Sequence, residues 1–254
     1  MTGQGTSFHT KFTFRSKWTS GKTRRIRRNC ALCLLLLPSL AWGQQKPDAA
    51  LEHVLDQLDN AAANFRSAQA DFVWDQYQKV VDETDTQKGT VYYRRTAKDT
   101  EMAADITDPD KKYVLMTEGK IQVYQPRIDQ VAVYNSGKNR ETVESFMVLG
   151  FGGGGHDMLK SFDVSYLGKE TLNGVETEKL DLVPKAQNIR NSISHIVLWI
   201  DPARGVSVQQ GVFQPSGDYR LAKYSDIRIN QKIAESVFKL KTTGKTKFIA
   251  PQGQ

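Results

Sequence analysis

Residues 151–157 read Phe-Gly-Gly-Gly-Gly-His-Asp, a stretch whose residue types and spacing invite a chemical reading. Glycine-rich backbone can wrap a phosphate with its N–H groups, and a His-Asp pair can move a proton. The surrounding residues complete neither chemistry. A phosphate-binding loop needs Gly-x-x-x-x-Gly-Lys-Ser/Thr. The Gly-Lys-Thr triplets at 21–23 and 244–246 have Ser16 and Lys239 where the upstream glycine should stand. Gly152, Gly153, Gly154 and Gly155 lead into His156 and Asp157, with no lysine and no strand-to-helix setting for a dinucleotide. The Gly-x-Ser-x-Gly elbow of serine hydrolases is approached at Gly205–Gln209 and broken by Gln209. No His-Glu-x-x-His occurs, and beyond residue 43 the histidines (His53, His156 and His195) are too scattered to suggest a metal site. His53 reads as a solvated helix residue, His195 as a strand residue, and His156-Asp157 as polar residues capping a helix. The expectation is a protein that is not an enzyme, with no catalytic residue, metal or cofactor.

The first 43 residues read as a secretory signal peptide. The basic run KTRRIRR at 22–28 precedes the apolar CALCLLLLPSLAWG, and Ala41 and Gly43 are small residues where a signal peptidase reads. That apolar run is shorter than the roughly 20 residues a membrane span needs, and Pro38 interrupts it. Arg24-Arg25 raises a twin-arginine export route, whereas the leucine-rich core favours the general one. Eight of the 35 Lys and Arg residues and none of the 28 Asp and Glu lie in residues 1–43. The remainder therefore holds 27 basic against 28 acidic residues, a formal charge of −1. A nucleic-acid partner is excluded on that balance, because such binding rests on neutralising phosphates with a basic face. Both cysteines, Cys30 and Cys33, belong to the leader, so residues 44–254 have no disulfide, thiolate metal site or cysteine nucleophile. These residues are long enough to bury a core as one soluble domain.

The elements can be read from periodicity. In PDAALEHVLDQLDNAAANFR, Leu51, Val54, Leu55, Leu58, Ala62 and Phe65 recur at the spacing of one helical face, with Pro47 and Asp48 at its start. Most of the remaining chain reads as strand: ADFVWDQYQKVV, GTVYYRR, KKYVLMT, KIQVYQP, QVAVYN, SFDVSYLGKETL, VETEKLDLVP, SISHIVLWID, GVSVQQGVFQ, DYRLAKYSDIRIN and a last short strand near Phe238–Lys241. Glu118-Gly119, Asn173-Gly174, Asp201-Pro202 and Pro215-Ser216-Gly217 mark tight turns between them. Short turns imply antiparallel neighbours, so the expectation is a long meander of roughly ten or eleven strands that curls. Residues 139–161 interrupt it with a helix-like piece carrying Val143, Phe146, Met147 and Leu149, then the glycines, then a second piece with Met158 and Leu159. Two helical pieces hinged by glycine suggest a cover over the concave face of the curled sheet. A surplus of methionine and aromatic residues (Trp74, Tyr93, Met102, Met116, Tyr124, Phe146, Met147, Phe151, Met158, Trp199) suits either an ordinary core or a cavity that must adapt to its occupant.

The segments SAQADFVWDQ, KGTVYYRR, DPDKKYVLMTEGKIQVYQPRIDQVAVY, LGKETLNGVETEKLDLVPK, LWIDPARGVSVQQ and DYRLAKYSDIRIN, in this order behind a leader and an amphipathic helix, resemble the periplasmic outer-membrane lipoprotein carriers of the LolA type. The resemblance covers about residues 48–245, and TEGKIQVYQP and WIDPARG carry the most weight. It implies an α+β, mainly antiparallel, unclosed barrel with an N-terminal helix and a helical lid over an apolar cavity. It also implies a monomeric carrier that takes acylated lipoproteins from an inner-membrane ABC exporter and hands them on, with an outer-membrane receptor as a further partner. An alternative within the same half-barrel is a periplasmic module that senses lipid or lipoprotein. The resemblance assigns lid-locking to Arg95, whose strand parity with Val91 and Tyr93 is that of the inner face. Thr96 stands where the family often has proline, and the Glu101-Met102 region replaces a tryptophan. The cavity and lid are expected from Phe72, Trp74, Val91, Tyr93, Met102, Met116, Phe146, Met147, Leu149, Phe151, Met158 and Leu159, with Gly152–Gly155 as the hinge.

Overall fold

The computed structural model describes residues 49–97, 99–135, 146 and 149–250. The expected leader, Met147 and the 139–145 part of the expected cover lie outside these residues. The N-terminal periodicity produces helix α1 (Ala49–Asn64), which buries Val54, Leu55 and Leu58 and carries Glu52 in its first turn, where the helix dipole favours an anion.

Twelve strands then form one sheet among the described residues: β1 (Ser67–Gln78), β2 (Glu83–Arg95), β3 (Thr100–Asp108), β4 (Lys112–Thr117), β5 (Lys120–Gln125), β6 (Gln130–Asn135), β7 (Phe162–Leu172), β8 (Val175–Pro184), β9 (His195–Asp201), β10 (Val206–Phe213), β11 (Tyr219–Ile229) and β12 (Lys247–Ile249). Helix α2 (Gly155–Ser161) precedes β7, and the single-turn α3 (Gln187–Arg190) links β8 to β9. The order across the sheet is β12-β6-β5-β4-β3-β2-β1-β11-β10-β9-β8-β7. The ends do not pair with each other, so the curled sheet is unclosed, as expected.

Turn chemistry sets the hairpins. Glu118-Gly119 and Asn173-Gly174 all have positive φ, the condition for the tightest two-residue turns. The connectivity differs from a single meander. β1–β6 and β7–β11 are separate meanders, and β11 returns to pair antiparallel with β1, Phe72 facing Tyr224 and Trp74 facing Ala222. Local turn signals specify hairpin neighbours and say nothing about this long-range seam. The last strand is also displaced. Glu235–Phe238 forms a 3₁₀ turn whose Phe238 packs with Ala103 and Leu115, and the strand proper is Lys247–Ile249, parallel to β6. Val80 and Val81 read as strand but sit in the exposed β1–β2 turn, held by Tyr77 Oη donating to Asp82 and the Lys79 amide donating to Asp218.

Two apolar clusters build the core. Val54, Leu55 and Leu58 of α1 and Met158 of α2 pack with Leu149, Phe162, Leu180, Leu182, Ile196, Leu198 and Ile200. Phe65, Ala68, Ala70, Phe72, Val91, Tyr93, Ile106, Phe151 and Val206 form the second, with Trp74, Met102, Met116 and Tyr224 at its margin. On the opposite face of β3 and β4, Ile233, Val237 and Leu240 of the C-terminal segment cover Ala103 and Leu115.

Candidate ligand-binding site

Alternation along the strands places one set of side chains on the concave face. Phe72 and Trp74 of β1, Val91 and Tyr93 of β2, Met102 and Ala104 of β3, Gln210 and Val212 of β10, and Arg220, Ala222 and Tyr224 of β11 line a cavity of about 230 Å³. The wall is apolar except for Gln210, Arg220 and the two phenols, whose pKa values burial raises. Both tyrosines thus stay neutral at physiological pH.

Residues Leu149–Gly152 lie against this face. Phe151, fully buried, stacks on Tyr93 with ring centres 4.7 Å apart and meets Tyr224 edge-on at 5.0 Å. Its backbone forms an isolated bridge to Val206, and the Ser207 amide donates to the Gly150 carbonyl at 2.8 Å. Gln210 donates from Nε2 to the Leu149 carbonyl and accepts from Tyr224 Oη at 2.9 Å. Phe151 therefore packs against two residues of the cavity wall, Tyr93 and Tyr224.

Arg95 lies at the end of β2, where the strand reaches this segment. Its guanidinium donates to the Ala62 carbonyl in α1 and to the Gly152 carbonyl, each at 2.6 Å, and stands 5.5 Å from the Phe65 ring centre. One side chain thereby ties the C-terminal end of α1 to the glycine segment. A second cavity, about 430 Å³, lies beside this tie, lined by Asp59, Ala62, Ala63, Arg95, Leu149, Gly152, Gly153, Gly154, Asp157, Met158 and Phe162.

The glycines have packing reasons that spacing alone did not reveal. Gly152 has φ +83°, and a Cβ there would sit 2.3 Å from the Phe65 ring. At Gly155 a Cβ would sit 2.2 Å from the Leu55 carbonyl oxygen, so glycine lets α2 approach the backbone of α1. Gly154 occupies the N-cap of α2. His156, in the first turn of α2, contacts Asp59 through Nδ1 at 2.5 Å and Glu52 through Nε2 at 3.2 Å. These hydrogen bonds, Asp59 foremost, raise its pKa above 6.5. Folding thus collects Asp56, Asp59 and His156 with donor atoms within 4.8 Å, which sequence spacing did not anticipate. The cluster is solvent-accessible, and ion pairing between α1 and α2 accounts for it.

The expected residues divide between two places. Phe72, Trp74, Val91, Tyr93, Met102, Met116 and Phe151 gather in the strand cluster; Phe146, Leu149, Met158 and Leu159 join the helix cluster. Trp199 and Tyr124 do not line the cavity. Trp199 donates to Glu170 at 2.9 Å with Lys179 over its ring, and Tyr124 stacks with Tyr113. Tyr224, Gln210, Val212 and Arg220 were missed, although the alternation Arg220, Ala222, Tyr224 was legible in DYRLAKY. What was hidden was that β11 abuts β1.

This geometry, an apolar concavity with Phe151 packed against its wall, coincides with a family match. The family model for the outer membrane lipoprotein carrier protein LolA matches residues 63–241. The chain belongs to the LolA family. MucB has a similar crystal structure at 12% identity and TM-score 0.50, the match covering 80% of this chain and 66% of MucB, so the chain spans just under two thirds of that protein. An uncharacterised conserved protein from Thermus thermophilus is similar at 11% identity and TM-score 0.51, covering 79% of this chain and 98% of that one. A LolA superfamily protein, NE2245 from Nitrosomonas europaea, matches at 12% identity and TM-score 0.39, covering 75% and 97%. At such identities these structures report the fold alone. No curated protein matches the chain. The family description names carriage of lipoproteins, and the LolA fold is a lipid- or lipoprotein-binding fold rather than a catalytic one.

Proposed function

We propose that this LolA-family protein is a periplasmic carrier that shelters the acyl chains of lipoproteins on the concave face of its sheet and moves them from the inner to the outer membrane. The observation that carries the reading is the apolar cavity on the concave face, with Phe151 packed against its wall residues Tyr93 and Tyr224 and the neighbouring Gly152 tied by Arg95. Each buried methylene is worth about 0.8 kcal/mol, so one long acyl chain costs on the order of 10 kcal/mol in water. A carrier offsets that cost and must also release its cargo. The cavity of about 230 Å³ is smaller than the roughly 300–1,000 Å³ usual for ligand sites. Loading a full chain therefore requires Phe151 and its neighbours to move aside.

The opening step breaks the two hydrogen bonds from Arg95. Closing restores them, and that recovered free energy lowers net affinity and drives cargo out. In this scheme Gly152–Gly155 supply the hinge, an inner-membrane ABC exporter loads the open form, and an outer-membrane receptor takes the cargo from a monomeric carrier. No catalytic group or cofactor takes part. Native mass spectrometry of protein purified from the periplasm tests the reading: bound mass corresponding to acylated lipoprotein supports it, and protein that never carries acyl cargo sinks it.

A second reading is a sensing module that binds lipid or lipoprotein on the same face and signals through a protein partner. Its support is the fold shared with MucB, a protein also crystallised in complex with MucA. Cargo that turns over between membranes distinguishes the carrier from a sensor that keeps its ligand.

A further inference from the structure

Among the described residues, one charged side chain, Arg220, lines the apolar cavity. Arg220 of β11 faces Gln76 of β1 and Val212 of β10, at the end of the concave face away from Arg95. The register puts the two arginines at opposite ends of β1, about 30 Å apart along the strand. Arg95 donates to main-chain carbonyls, and Arg94, Arg204 and Arg228 each meet a carboxylate at 2.5–2.6 Å. Arg220 differs: its Nε is buried and has no hydrogen-bond partner among the described residues. Its guanidinium lies 5.3 Å from the ring centre of Trp74, which holds a cation by its π-face and offers no acceptor. Of the other polar side chains of the wall, Gln210 is already engaged by Leu149 and Tyr224, and Tyr93 stacks on Phe151.

A guanidinium stays charged at any physiological pH, and a buried donor left unsatisfied costs free energy that a ligand oxygen would recover. Its planar fork matches the paired oxygens of a carboxylate or phosphate. We propose that the cavity prefers amphiphiles whose head group is an oxyanion, with the chain lying toward Met102 and Tyr93 and the head held by Arg220 at the Trp74 end. This rests on the reading of the cavity as an acyl-chain site. It narrows that reading, because a neutral head group can accept a hydrogen bond from Arg220 but brings neither the opposite charge nor the paired oxygens that match the guanidinium fork.

The test compares hexadecanoate, hexadecyl phosphate and hexadecanol as competitors of a polarity-sensitive apolar dye on the purified protein, with acetate and inorganic phosphate as chainless controls. The two C16 anions should bind at least about tenfold more tightly than the alcohol, as one charge-assisted hydrogen bond implies. Arg220→Gln should bring that ratio to about one, Arg220→Lys should keep part of it, and thermal melting confirms that each variant folds. Equal binding of acid and alcohol by the unmodified protein overturns the head-group inference and leaves the acyl-chain reading standing. So does a ratio that Arg220→Gln does not change. Competition by inorganic phosphate as strong as by the C16 anions shows a free-anion site and overturns it also. Failure of every C16 probe to bind overturns both readings together.

Discussion

Arg95→Leu is the sharpest perturbation of the proposed cycle. The change deletes two hydrogen bonds of 2.6 Å, one to Ala62 of α1 and one to Gly152, and a cation contact with Phe65. Charged-donor hydrogen bonds are worth about 1.5–3 kcal/mol in protected settings, but Arg95 is solvent-exposed, so about 1 kcal/mol each is the appropriate scale. The ring contact adds about 0.5 kcal/mol. The total, about 2–3 kcal/mol, shifts the equilibrium between tied and untied forms by a factor of about 30–150. Amide hydrogen exchange reads it directly: the last turn of α1 and residues 150–154 should open faster by about that factor. Both segments must respond, because a single guanidinium bridges them. Cargo should be retained and poorly handed on, since closure no longer competes with it. Arg95→Lys should fall between, because an ammonium spans the two carbonyls less well than a fork. Exchange within about twofold of the unmodified protein in either segment, or normal cargo transfer by Arg95→Leu, refutes the reasoning.

Gly155→Ala should destabilise the fold by about 2 kcal/mol or more, a melting drop of roughly 4–8 °C, because its Cβ meets the Leu55 backbone; Gly244→Ala, with nothing within 4 Å, should melt as the parent. Replacing all four glycines at 152–155 therefore disturbs packing as well as any hinge. Phe151→Ala should cost about 3–5 kcal/mol in stability and increase apolar-dye uptake, because it empties the space against Tyr93 and Tyr224; unchanged dye uptake would show that Phe151 does not cap the cavity. His156 should act as an acid-side clasp between α1 and α2. Its folded-state pKa is raised, so its contribution is fully present below about pH 6.5 and disappears as pH rises through the raised value. Melting curves at pH 5.5, 7.0 and 8.5 should show that dependence flattened in His156→Gln, and an identical pH profile would remove the clasp.

The legible part of this molecule was its local grammar. The 3–4 spacing of Leu51, Val54, Leu55 and Leu58 specified α1, and Asn173-Gly174 specified a hairpin, because both signals act between near neighbours. Phe72 with Trp74 and Val91 with Tyr93 each share a face by strand alternation, so these two pairs were legible from parity. The β1–β11 seam was illegible because it joins residues about 150 positions apart and no turn announces it. Arg220 and Tyr224 were missed for that reason alone. Phe238 was misread as strand because a single 3₁₀ turn presents its ring as well as a pleat would. The glycines were seen, but their closest contacts, Phe65 and Leu55, belong to elements far off in sequence.

In the proposed carrier cycle, the Phe151 ring that packs against Tyr93 and Tyr224 is a resident competitor for acyl cargo. Because this competitor is tethered, it cannot be diluted away, and in that cycle every cargo affinity would be the intrinsic affinity scaled by the fraction of molecules with the ring withdrawn. Substitutions remote from the cavity, at Arg95 or Gly152, can then retune affinity for all cargo by one common factor. Changes to the cavity wall alter the ranking among cargoes. An exporter that only withdraws Phe151 would load the protein without recognising the cargo itself.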